Sequence, residues 1–195
     1  MSTQDNSYTD RLVTLSDSRF RKLLNVQAPY AWNIRRTVKG FTLDIGCGIG
    51  RNLAHLRGQA IGIDHNQTSV DVCRKNGFIA YTPDEFAASE HAELTYETLL
   101  LSHVLEHMTV TQAHELLESY LPHLSEDGRV VIICPQQRGF KSDSTHVHFF
   151  DSSSLTDLVH ELGMHVSENR SFPLPGWCGR WFTHNETIVI AERIS

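Results

Sequence analysis

Three glycines at alternate positions behind an apolar run constrain this chain more than any other feature. The run is Phe41-Thr-Leu-Asp-Ile-Gly-Cys-Gly-Ile-Gly50, followed by Arg51-Asn52-Leu53-Ala54-His55-Leu56 with the periodicity of an opening helix. Strand, glycine turn and helix in that order are the context of a nucleotide or nucleoside site. Glycine suits the turn because it takes positive φ freely and lets a ligand lie against main-chain N–H groups. A second apolar run, Gln59-Ala-Ile-Gly-Ile-Asp64, places a carboxylate twenty positions after Asp44. At the carboxyl end of a neighbouring parallel strand, Asp64 can accept both hydroxyls of a ribose.

The glycine spacing separates two cofactor classes. A dinucleotide pyrophosphate favours G-x-G-x-x-G, which would need glycine at position 51, where the chain carries Arg51. A nicotinamide dehydrogenase is therefore disfavoured. Asp44-x-Gly46-x-Gly48-x-Gly50 instead resembles the first motif of the class I S-adenosylmethionine-dependent methyltransferases. The resemblance implies that Gly46, Cys47, Gly48 and Gly50 approach the methionine moiety and that Asp44 helps to hold its amino group. It also implies that Asp64 takes the ribose, with His65 beside it.

A second segment carries the same resemblance. Leu99-Leu-Leu-Ser-His-Val-Leu-Glu-His-Met108, followed by Leu121 to Pro135, matches the fourth strand, its Val-Leu-Glu-His continuation and the fifth strand of small-molecule members. By that likeness Ser102 and His103 line the methyl-donor pocket, while Glu106 and His107 face the acceptor or buttress the site. Near Ile79 to Phe86 the family usually carries an acid before an adenine-contacting backbone; here Thr82 occupies the place, and Asp84 is the alternative. The likeness spans residues 40–193. A fainter one is to the short sugar 1-O-methyltransferases of methylmannose polysaccharide synthesis, with no motif diagnostic of them.

His103-Val-Leu-Glu-His107 also matches H-x-x-E-H, the inverted zinc-peptidase signature. That chemistry needs both histidines on one face of a sustained helix. Here the segment follows directly on a buried-strand pattern, and Met108-Thr-Val110 interrupts before the next helix, so the peptidase reading is set aside.

Alternating strand and helix signals give an α/β chain. Strands are expected near residues 41–45, 59–63, 78–81, 97–102 and 129–134, with helices at 49–57, 66–76, 83–89 and 110–121. A helix at 152–162 and strands after Gly163 and from Glu186 complete the set. With the resemblance, the expectation is a Rossmann-like seven-stranded mixed sheet with helices on both faces, its last two strands an antiparallel hairpin. One methyltransferase domain over 1–195 is expected, with 1–39 as an amino-terminal helical lid, interrupted near Ala28-Pro29.

Composition narrows the partners. A net charge of −6 without a basic run disfavours nucleic acid, whose phosphates require clustered Lys and Arg. Neither a signal peptide nor an apolar run of membrane-spanning length is recognisable, and the four cysteines form no Cys-x-x-Cys pair. The expectations are no membrane association, a reducing cytoplasm, a small and hydroxyl-rich acceptor, and a homodimer left open. Tyr30, Trp32, Gln136, Trp177 and Trp181 are among the residues that could line the acceptor pocket.

The twelve histidines are unevenly placed, and His146 and His148 fall after the fifth strand, where loops at strand carboxyl ends form the ligand crevice. Histidine titrates near neutrality and can take a hydroxyl proton, a gain of roughly a hundredfold to ten-thousandfold. His146, His148 and His107 are the candidate bases for an O-methylation. Asp143, His146 and His148, with Asp151 and His107 nearby in sequence, are candidate ligands for a divalent cation such as Mg2+. N-methylation of a small amine, which needs no such base, and a catalytically silent S-adenosylmethionine-binding module are the alternatives.

Overall fold

The fold follows from strands that are apolar on both faces. In a computed structural model of the chain, residues 28–193 are described. A first helix, α1, covers residues 28–37 and leads into β1 (Thr42–Ile45), α2 (Arg51–Leu56), β2 (Ala60–Ile63), α3 (Gln67–Lys75), β3 (Ala80–Tyr81) and α4 (Pro83–Ala87). Then come β4 (Tyr96–Ser102), a 3-10 turn at Leu105–His107, α5 (Val110–Tyr120) and β5 (Leu124–Pro135). The short α6 (Gln137–Phe140), α7 (Ser152–Glu161), β6 (Met164–Phe172) and β7 (Glu186–Arg193) finish the chain.

The seven strands form one sheet in the order β3-β2-β1-β4-β5-β7-β6, parallel except for β7, which is antiparallel to both neighbours. β1 and β2 are buried at every position, as parallel strands sandwiched between helices must be. Successive side chains of β4 serve opposite layers. Leu99 and Leu101 join Phe86 of α4, Leu117 of α5 and Leu155 of α7, whereas Leu100 joins Ile34 of α1, Leu53 of α2 and Val70 of α3. All three leucines are fully buried, so truncating any one to Ala should cost about 2–5 kcal/mol.

Local chemistry sets the helix starts. The Asn66 carboxamide accepts from Thr68 N and Ser69 N at the start of α3, and Asp151 accepts from Ser154 N at the start of α7. Thr82-Pro-Asp-Glu85 and Thr109-Val-Thr-Gln112 are capping boxes, each worth about 1 kcal/mol.

The observed strands fall close to where the apolar runs predict them, but β3 is only Ala80–Tyr81 rather than 78–81. β5 begins at Leu124 rather than 129, because the polar stretch Ser125–Gly128 continues the strand through a register shift against Tyr96 and Thr98. The segment after β5 contains the four-residue α6, and the loop after β6 contains a 3-10 turn at Gly176–Arg180. Of the expected lid, residues 1–27 lie outside the described residues. Residues 28–37 pack down on the sheet: Ile34 is in the core, Tyr30 Oη donates to the His184 carbonyl (2.8 Å), and Arg170 donates to Thr37 Oγ1 (2.8 Å). No helix among the described residues is long and apolar enough to cross a membrane.

Candidate functional site

The carboxyl ends of β1, β2, β4 and β5 converge on one edge of the sheet, and the reactive side chains gather there. The glycine turn is clamped from beneath, since Gly46 N and Cys47 N both donate to the Ile63 carbonyl at 2.7 and 3.0 Å. Gly46 has φ 77°, and a Cβ there would meet Val104 Cγ2 at 2.4 Å, so this glycine is demanded by packing against the segment after β4. Gly48 differs. Its φ of 53° also favours glycine, yet a Cβ would meet nothing within 4 Å, so the main chain borders open space in which a ligand can lie.

Asp44 is completely buried on β1. Asn52 Nδ2 reaches its Oδ1 at 3.3 Å, while Oδ2 has no hydrogen-bond partner among the described residues. Burial pushes the carboxyl pKa up to about 7; the Asn52 amide opposes the rise and the charge of Asp64 adds to it. A buried carboxylate oxygen with no donor is suited to a cationic group from outside the chain.

Asp64 follows β2 and is 8 % exposed. Its Oδ2 accepts from Gly48 N (2.8 Å) and its Oδ1 from Asn66 N (2.9 Å), so it ties the glycine turn to the start of α3. Each carboxylate oxygen has a second lone pair, so hydroxyls can still be accepted. His65 beside it is largely exposed, with Nδ1 3.7 Å from Asp64 Oδ1. Thr82 directs both its hydroxyl and its N–H into the capping box of α4, and Asp84 lies in the first turn of that helix.

Ser102 ends β4, and His103 follows with φ 60°, the left-handed region that non-glycine residues seldom adopt. That turn aims its ring between two carboxylates: Nδ1 lies 3.1 Å from Glu106 Oε1 and Nε2 2.9 Å from Glu186 Oε1. Burial works to lower the His103 pKa, but the hydrogen bonds and charges of Glu106 and Glu186 outweigh it and raise it to about 10. Since 43 % of the side chain is exposed, the burial contribution is the smaller in practice and the carboxylates dominate. Glu106 is 1 % exposed; its burial is overcome by His103, which holds its pKa below the ordinary value.

Beyond these, His107 and His146 stack edge to face with ring centres 4.9 Å apart. His107 Nδ1 faces the carbonyl and hydroxyl of Thr145 at 3.3 and 3.2 Å, and its pKa is lowered, chiefly by burial. His146 Nδ1 lies 2.7 Å from the Phe140 carbonyl. His148 packs edge on against Phe150 (4.7 Å). Asp143 accepts from the N–H and hydroxyl of Thr145, both at 2.9 Å, in a local turn. Among the described residues the donors that converge are thus Glu106, His107 and His146, within 4.8 Å of one another, whereas Asp143 and His148 stand outside that group. Trp177 and Trp181 are exposed and in edge-to-face contact, while Gln136 is buried, bonded to Ser171 and Asn185 rather than open to a ligand.

A family model described as a methyltransferase domain matches residues 18–169, most of the chain. The chain belongs to the class I S-adenosylmethionine-dependent methyltransferases. No curated protein matches its sequence significantly. Solved structures share its fold at low identity. An S-adenosylmethionine-dependent methyltransferase from Archaeoglobus fulgidus is 20 % identical, with 84 % of this chain and 93 % of that chain covered and a TM-score of 0.66. Magnesium protoporphyrin IX methyltransferase from Synechocystis, with bound S-adenosylhomocysteine, is 14 % identical over 98 % of this chain and 97 % of its own (TM-score 0.69). A chain of the Haloferax volcanii complex between the Trm112 methyltransferase activator and a methyltransferase is 15 % identical over 98 % and 96 % (TM-score 0.71).

The methyltransferase's own residues fit the donor this family uses. The unpartnered Asp44 oxygen suits an ammonium, the open face of Gly48 admits a chain against the backbone, and Asp64 stands at the end of the adjacent strand. Three participants were not evident from the sequence. Asn52 and Asn66 carry only the polar character of any helix start, and Glu186 reaches His103 from 83 positions away with no sequence signal at all.

Proposed function

We propose that this methyltransferase transfers a methyl group to a hydroxyl of a small polar molecule such as a sugar, with a histidine taking the hydroxyl proton. S-adenosylmethionine would supply a methyl group activated by a sulfonium. Asp44 would hold its amino group, Gly46, Cys47, Gly48 and Gly50 its methionine chain, and Asp64 and His65 its ribose. The backbone around Thr82 would border adenine, and Ser102 and His103 the reacting end. Displacement at a sulfonium methyl is in line, so the protein's work is to fix donor and acceptor and to exclude water.

The single observation that carries the hydroxyl assignment is the pair His107 and His146, from the segments that follow β4 and β5, with ring centres 4.9 Å apart. With Nδ1 against the Phe140 carbonyl at 2.7 Å, His146 keeps Nε2 as its basic nitrogen, an orientation that suits a proton acceptor. His107 and His148 are the alternatives on the same crevice. An acceptor of modest size accords with the acidic net charge of −6, which repels polyphosphates. The converging donors, two imidazoles and a carboxylate, do not favour Mg2+, which prefers oxygen ligands.

The test is a calorimetric titration with S-adenosylmethionine and S-adenosylhomocysteine, followed by an acceptor screen of glycosides and amines. Micromolar-order binding lost in Asp64→Ala, and methylation of a glycoside that collapses in His146→Ala, are the expected results. Turnover of amines alone would replace the hydroxyl reading with N-methylation. Binding without any turnover would favour a silent module.

A further inference from the structure

We propose that Glu106, His107 and His146 form a binding site for one divalent transition-metal ion at the crevice rim beyond β4 and β5. One ligand atom from each lies within 4.8 Å of the other two. Glu106 is 1 % exposed; its Oε1 is met by His103, and its Oε2 has no hydrogen-bond partner among the described residues. The Cys134 thiol beside that carboxylate is only a weak donor. A carboxylate oxygen buried without a donor is costly, and a cation removes the cost.

Both imidazoles are held in the tautomer that metal binding requires. Carbonyl oxygens only accept, so the contacts of His146 Nδ1 with Phe140 (2.7 Å) and of His107 Nδ1 with Thr145 (3.3 Å) place the proton on Nδ1 and leave the Nε2 lone pairs for a ligand. The loop carrying His146 is fastened to the residue that supplies the carboxylate, since Val147 N and His148 N both donate to the Glu106 carbonyl at 2.7 and 3.3 Å. Tetrahedral bonds of about 2.0–2.1 Å bring donors to roughly 3.3 Å from one another, so closure requires side-chain rotations of about 1.5 Å at most. Two imidazoles and one carboxylate suit Zn2+ or Co2+ and leave a coordination position open. The His-x-x-Glu-His pattern is thereby divided: its second histidine and glutamate become ligands with His146, and His103 turns to steady Glu106 from the other side.

The role of the ion rests on the hydroxyl-methylation reading but replaces its base. With His107 and His146 as ligands, the open position would take an acceptor oxygen, the ion would make its hydroxyl more acidic, and the proton would pass to solvent or to His148 rather than to His146. Binding itself does not depend on that reading. The full-length protein, stripped with chelator, should be titrated with Zn2+ by calorimetry and with Co2+ by visible absorption. One equivalent should bind, Co2+ should develop the strong visible bands of a four-coordinate site, and a millimolar excess of Mg2+ should leave those bands unchanged. His146→Ala should weaken Zn2+ binding on the order of 100-fold, while the exposed His165→Ala should not. Glu106→Gln risks the buried core, so His146→Ala, on a half-buried loop, carries the test, with circular dichroism confirming its fold. Absence of stoichiometric binding, or equal affinity in His146→Ala, overturns the site. S-adenosylhomocysteine affinity, measured on the same samples, reports the methyl-donor site separately.

Discussion

Asp44 should make cofactor affinity depend on pH in a way that can be worked out beforehand. Its carboxyl is fully buried and its pKa is raised to about 7, chiefly by burial. An ammonium from the cofactor needs the ionised form. With a pKa of 7 the ionised fraction is about 0.03 at pH 5.5 and about 0.75 at pH 7.5, and apparent affinity scales with that fraction. The dissociation constant for S-adenosylhomocysteine should therefore fall roughly 25-fold over this interval, about 1.9 kcal/mol. Proton release provides a second reading: close to one proton should leave on binding at pH 6 and few at pH 8, measurable by calorimetry in buffers of different ionisation heat. The effect on folding has the opposite sign. A carboxyl whose folded pKa lies above its unfolded value of 3.8 binds its proton more tightly when folded, so the free protein loses stability as pH rises from about 4 to 7. The full loss is on the order of 4 kcal/mol. Asp44→Asn should remove both slopes, bind cofactor weakly at every pH, and be more stable than the natural protein at pH 8 without ligand. A 25-fold slope that persists in Asp44→Asn would refute the assignment and pass the titration to another group.

Gly48→Ala and Gly46→Ala should separate binding from folding. The first adds a methyl into open space at φ 53°, costing about 1 kcal/mol in urea unfolding but at least tenfold in S-adenosylhomocysteine affinity, whereas the second overlaps Val104 and should lower the urea midpoint much further. Thr82→Ala removes a capping box and should cost about 1 kcal/mol by thermal or urea unfolding. Asn185→Ala should cost about 2–3 kcal/mol and speed hydrogen exchange at Leu174, because the buried Asn185 Oδ1 accepts from Leu174 N at 2.9 Å and its Nδ2 donates to Gln136 at 2.8 Å.

Residues whose physics is local could be read from the chain. Val130 to Ile133 announce a buried strand, and Gly46 to Gly50 announce a turn, because period and backbone freedom belong to each segment alone. Thr82 shows the limit of the same reasoning. Its neighbours Pro83 and Glu85 spell a capping box, which occupies the hydroxyl with Glu85 N, whereas its place beside adenine was suggested only by the family resemblance. Glu106 was visible as part of a His-x-x-Glu-His pattern, but its ion pair with His103, which takes φ 60° and is met on its other nitrogen by Glu186 of β7, was not. Such relations exist only once distant strands have paired, and no window of sequence contains them.

β7, last in the chain order, lies between β5 and β6. During synthesis, therefore, β6 has no neighbour to pair with and β5 presents a bare edge until β7 leaves the ribosome. The sheet grows outward on one side but is completed from within on the other. Glu186 arrives with that strand, so His103 receives its second carboxylate only once β7 has inserted between β5 and β6.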